Sequence, residues 1–137
     1  MSGSACVFCG IVGGSSPAHV VWSDAAHVAF LDRNPVAPGH VLLVPRAHAS
    51  TVYDLAPAAY AALFERARRL AGPVARAAGA PRAGIAVEGY GVDHTHVHLV
   101  PVWRAGDLDP CRLAPANDAE LRAAADRLRA ALVDAVG

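Results

Sequence analysis

With 137 residues, 54% of them apolar, the chain has enough material for one domain with a real core and too little for two. Twelve basic side chains balance twelve acidic ones, so no chain-wide field favours a polyanion such as a nucleic-acid polymer. The opening MSGSACVFCG has no basic segment ahead of an apolar one, and no apolar run approaches the roughly 20 residues of a membrane helix. The expectation is a cytoplasmic protein, 1–137 forming a single domain, without membrane partners.

Cys6 and Cys9 form one C-x-x-C among three cysteines, which is no disulfide framework and suggests reduced thiols, with metal binding as one use. Residues 18–23 (AHVVWS) and 27–32 (HVAFLD) are β-prone runs whose Asp24-Ala25-Ala26 spacer predicts a hairpin. A third strand, 40–46, follows the turn PVAPG. From Asp54 to Gly79 the period changes, with Tyr60, Leu63, Leu70 and Val74 on one helical face, and Gly72-Pro73 is expected to kink or end that helix. Residues 84–90 (GIAVEGY) and 94–103 (HTHVHLVPVW) return to period two. The last segment, 117–136, carries the stripe Leu121, Ala125, Leu128 and Leu132, and Asn117 with Glu120 is spaced as a capping box. The sum is an α+β fold: about five mostly antiparallel strands and two longer helices, one of them between strands three and four.

On a regular strand His94, His96 and His98 would form a row roughly 6.5 to 7 Å apart on one face, with Thr95, Val97 and Leu99 on the other. Neighbouring imidazoles disfavour one another's protonation, so one stays neutral and nucleophilic near neutral pH. That suits attack at phosphorus, with adjacent imidazoles donating to developing charge. Metal ligation is the competing use of the same pattern. The order DHTHVH does not match a metallo-hydrolase H-x-H-x-D-H, and a histidine row serving as metal ligands is the more distant reading.

HTHVHLV (94–100) resembles the signature of the histidine triad family, three alternate histidines followed by apolar residues, with Thr95 the one polar departure. FLDRNPVAPGHVLLVPRAH (30–48) is similar to that family's second block, and CVFCGIV (6–12) to the opening of many bacterial members. The resemblance implies a HIT-like fold, usually a homodimer, and a nucleotide substrate of adenosine type. It implies an enzyme that cleaves nucleoside 5'-phosphate derivatives (dinucleoside polyphosphates, phosphoramidates or mixed anhydrides) through a covalent nucleotidyl-histidine. His96 would be the nucleophile and His98 would support phosphate and leaving group. A histidine at 98, where transferase relatives tend to have glutamine, favours hydrolysis. Asp32 matches the ribose-contacting position, with a turn-initiating aspartate as its alternative, and Arg33 is a candidate for the base pocket.

One stretch departs from the family. Where hydrolases commonly carry an N-x-G and a G-Q-S/T-V, this chain has AVEGYGVDH (86–94), so that Gly89 and Gly91 remain while the side-chain phosphate contacts are missing. The Gly91 amide can still approach an anion. Glu88 would repel a phosphate, so either it points away or the substrate differs. A catalytically weak, zinc-stabilised nucleotide-binding or interaction protein is therefore the alternative. From the resemblance, Cys6, Cys9, His48 and His94 would complete a structural zinc site, with a redox C-x-x-C as the other option. His19, His27 and His40 read as structural or surface residues.

Overall fold

A computed structural model describes residues 6–136. Val20–Ser23 (β1) and His27–Leu31 (β2) form the expected hairpin, and Asp24 builds its turn by accepting the amides of Ala26 at 2.9 Å and His27 at 2.7 Å. The same carboxylate meets the His27 ring at 3.0 Å and Arg66 Nε at 2.7 Å. Val41–Pro45 (β3) pairs with β2, and Val97–Val102 (β5) lies between β3 and Arg82–Ala86 (β4). The strand order is β1-β2-β3-β5-β4, with every pair antiparallel.

Alternation divides the central strands between two faces. Ala29, Leu31, Val41, Leu43, Val97 and Leu99 pack against Pro57–Ala78 (α2) and Asp118–Val136 (α3). Val28, Phe30, Leu42 and Val44 point the other way, onto Phe8 of a short helix, Val7–Gly13 (α1). Periodicity did not announce α1, because seven residues are too few to display a helical stripe.

The predicted stripe of α3 is buried throughout, and its capping box forms: Glu120 N donates to Asn117 Oδ1 at 2.8 Å and Asn117 N to Glu120 Oε1 at 3.2 Å. On α2, Leu63, Leu70 and Val74 are buried, but Tyr60 is 43% exposed and lies on Phe64. Nor does Gly72-Pro73 end α2, which continues to Ala78. An interior proline costs about 3 kcal/mol. Pro73 is itself buried, as are Leu63, Ala67, Leu70 and Val74 of the same helix, and large buried apolar side chains contribute about 1.5 to 3 kcal/mol each.

Two strands are shorter than expected. β4 ends at Ala86, leaving 87–93 as a loop, and β5 begins only at Val97, so that His94 and His96 precede it. The regular row of three histidines is thus corrected. Thr95 diverts the chain: its amide and its Oγ1 both donate to Ala49 O, at 2.7 and 3.0 Å. No helix among the described residues is long and apolar enough to cross a membrane.

Candidate active site and metal centre

Because the chain leaves the strand geometry before Val97, His94 turns away from its two neighbours and joins Cys6, Cys9 and His48. The ligand atoms of these four residues all lie within 4.8 Å of one another. His94 Nδ1 is 3.5 Å from each sulfur, and His48 Nδ1 is 3.2 Å from Cys9 Sγ. A tetrahedral ion at zinc–ligand distances requires neighbouring S and N donors about 3.6 Å apart, so the donor set fits such an ion. Each part has a local cause. Cys6 caps α1, its sulfur accepting the Cys9 amide at 3.3 Å, which places the two thiols one turn apart. His94 Nε2 donates to Pro45 O at 2.8 Å, leaving Nδ1 as the ligand atom, and the Thr95–Ala49 bonds hold the segment carrying His48 alongside. Burial pushes the His94 imidazole below its ordinary value and keeps it neutral. α1 supplies a helix start for a redox C-x-x-C, but the wholly antiparallel sheet contains no βαβ unit.

His96 is 5% exposed, and its Nδ1 lies 2.7 Å from His94 O. A carbonyl only accepts, so Nδ1 carries the hydrogen and the neutral ring keeps a free lone pair on Nε2. His96 lines a cleft of about 600 Å³, which His98 also lines. The two rings are 5.2 Å apart.

The tautomer of His98 follows from a residue that sequence reasoning treated as structural or surface. His40 Nδ1 accepts the Val36 amide at 3.0 Å, and burial lowers the ring's pKa to about 4 despite nearby Asp32. His40 is therefore neutral with its hydrogen on Nε2, which lies 2.9 Å from His98 Nδ1. His98 accepts there and keeps its own hydrogen on Nε2. Burial, and then the charge of His96, lowers the His98 pKa as well. Period two from Leu42, which pairs with His98 across the sheet, would have placed His40 on this face. Gly39, at φ +93°, makes the turn that brings it there.

Asp32, Arg33 and Gly91 line the same cleft, together with Phe30, Leu42 and Glu88. Asp32 acts as a turn residue, its Oδ1 accepting the Asn34 amide at 2.9 Å, while Oδ2 lies 3.6 Å from His40 Nε2. Arg33 is exposed at the cleft's edge. Gly91, at φ +90°, presents bare backbone, whereas Gly89 lines only an adjoining groove. Asp32, His40 and His98 also bring donor atoms within 4.8 Å of one another, and the His40–His98 hydrogen bond accounts for that closeness. With His94 in one group, His98 in the other and His96 in neither, the histidine row does not converge on one ion among the described residues.

The HIT domain family model matches residues 14–104. The chain belongs to the histidine triad family. This HIT protein is 35% identical over 103 residues to an uncharacterized HIT-like protein of Saccharolobus solfataricus, covering 72% of this chain and 74% of that one. It is 30% identical to the adenosine 5'-monophosphoramidase of Schizosaccharomyces pombe, over 70% of this chain and 73% of the relative. Among solved structures, a zinc-bound histidine triad family protein from Mycobacterium smegmatis has a TM-score of 0.82 and 30% identity, with 96% of each chain covered.

Proposed function

We propose that this HIT protein hydrolyses nucleoside 5'-phosphate derivatives through a nucleotidyl intermediate on His96. The observation that carries the reading is the His96 Nδ1 bond to His94 O, which leaves Nε2 bare on a ring that lines the cleft. The Nε2 lone pair forms a bond to phosphorus, and the bond from phosphorus to the leaving atom breaks with its electron pair going to that atom, which takes a proton from solvent. His98 donates a hydrogen bond from Nε2 to the charge that builds there. It acts as a donor and not as an acid, since protonating its Nδ1 would set two N–H groups against each other at His40. Water then attacks phosphorus and loses a proton to solvent, and the P–N bond electrons return to His96.

In this reading Asp32 receives the ribose hydroxyls, Arg33 flanks the base and the Gly91 amide faces the phosphate. Gly89 contributes only by shaping the loop. Cys6, Cys9, His48 and His94 would hold zinc as a structural cross-link, an assignment supported by the donor set and by the zinc-bound relative. When bound, the ion ties α1 to the segment whose His94 carbonyl orients His96, and it enters no step. The homodimer belongs to the same reading, with β4 as an edge along which a second copy would add.

The test is release of nucleoside monophosphate from an adenosine 5'-phosphoramidate and a dinucleoside polyphosphate by wild type and His96→Ala. Turnover that vanishes in the variant is expected. AMP binding without cleavage of either substrate would overturn the catalytic reading in favour of a nucleotide-binding protein, for which the altered 86–94 stretch is the argument.

A further inference from the structure

Beside the cleft runs a second groove of about 640 Å³, between residues 50–53 and the loop 87–93. The two share Glu88, Tyr90, Gly91 and Val92, so the loop that borders the groove also borders the cleft lined by His96 and His98. Asp32 and Arg33 follow β2, and the loop joins β4 to β5; in the strand order these lie on opposite sides of β3. A nucleoside seated at Asp32 with its phosphorus at the histidines directs the substituent on that phosphorus toward the groove.

We infer that this groove is the leaving-group subsite and that it selects amines carrying a positive charge at their far end, a specificity that rests on the hydrolase reading above. Its charged members are Glu88 and Asp93, and Asp93 is fixed by a hydrogen bond from Ser50 Oγ. The chain has no lysine, and none of its arginines lines the groove among the described residues; Arg33 sits at the other end of the cleft. The charge of Glu88 reaches the histidines, since it opposes the lowering of the His98 pKa. A polyphosphate leaving group would bring like charge against Glu88 and Asp93, whereas an ammonium is attracted to both. Tyr53 and Tyr90, 81% and 79% exposed, supply aromatic faces for a cation or for the body of the amine. The step remains the one given above: the P–N bond breaks, and its electron pair with a solvent proton leaves on the amine nitrogen.

The experiment uses three adenosine 5'-phosphoramidates built on one amine skeleton and ending in ammonium, hydroxyl or carboxylate. kcat/KM is measured for wild type and Glu88→Gln, and Kd for His96→Ala with and without Glu88→Gln. The expected ammonium-to-carboxylate ratio is about tenfold in both quantities, shrinking with salt and falling below about threefold when Glu88 is replaced. A wild-type ratio within twofold of one, or a ratio that Glu88→Gln leaves unchanged, overturns the subsite. Turnover without that preference removes the subsite alone. An ammonium preference in Kd that depends on Glu88, with no turnover of any substrate, keeps the subsite and removes the hydrolase reading. Failure of all three to bind overturns both.

Discussion

Replacing His40 by phenylalanine tests the relay of hydrogen bonds behind the cleft. His40 is 1% exposed, so a ring of similar size keeps the packing while two bonds disappear. The Val36 amide loses its acceptor and His98 Nδ1 loses its donor. A buried polar group left unpaired costs about 1 to 3 kcal/mol. Applied to His98, which then no longer holds its hydrogen on the cleft side, that range corresponds to a fall in kcat/KM of about 5- to 150-fold. A similar loss of stability is expected from Val36. Glutamine at 40 can accept from Val36 through its oxygen and donate to His98 through its nitrogen, so His40→Gln should retain more activity. The assay is phosphoramidate turnover alongside urea unfolding, with ring ¹⁵N shifts reporting which nitrogen of His98 bears the hydrogen. The His40 pKa is lowered in the fold, so its contribution is present above the unfolded value of 6.5 and lost as pH falls through about 4. His40→Phe should abolish that part of the acid slope. Activity of folded His40→Phe within twofold of wild type, or a wild-type His98 protonated on Nδ1, would refute the reasoning.

Asp24 titrates in a lower window. Burial opposes its charge, but Arg66, the Ala26 amide and His27 outweigh that and hold its pKa at about 2. Asp24→Asn should therefore cost of order 1 to 2 kcal/mol near pH 6, a difference present above about pH 4 and lost as pH falls through about 2. Urea curves at pH 6 and pH 2 check this, and a gap that persists at pH 2 counts against it. Double substitution of Cys6 and Cys9 by serine should abolish bound metal and lower Tm, as native mass spectrometry and thermal unfolding would record; unchanged metal content disposes of the centre. Chelation should lower stability before activity, and immediate loss of turnover with the fold intact would instead bring the ion into the chemistry.

Local pattern carried much of the architecture. The hairpin at Asp24, the alternation of β2 and β3, the stripe of α3 and its Asn117–Glu120 cap each involve residues a few positions apart, where backbone geometry alone decides which side chains share a face. The resemblance drawn from three short blocks added the two sets of site residues. Tertiary structure decided the rest, because it depends on contacts between distant segments. Pro73 stays within a helix because packing on the sheet outweighs one lost backbone bond. Ala49 takes both Thr95 bonds, which delays β5 and separates His94, beside the cysteines, from His96 and His98 at the cleft. The Val36 amide determines which nitrogen of His40 is bare, and thereby which nitrogen of His98 faces the cleft. Residue order specifies that these histidines are present, but their protons are assigned by donors and acceptors that only folding brings within 3 Å.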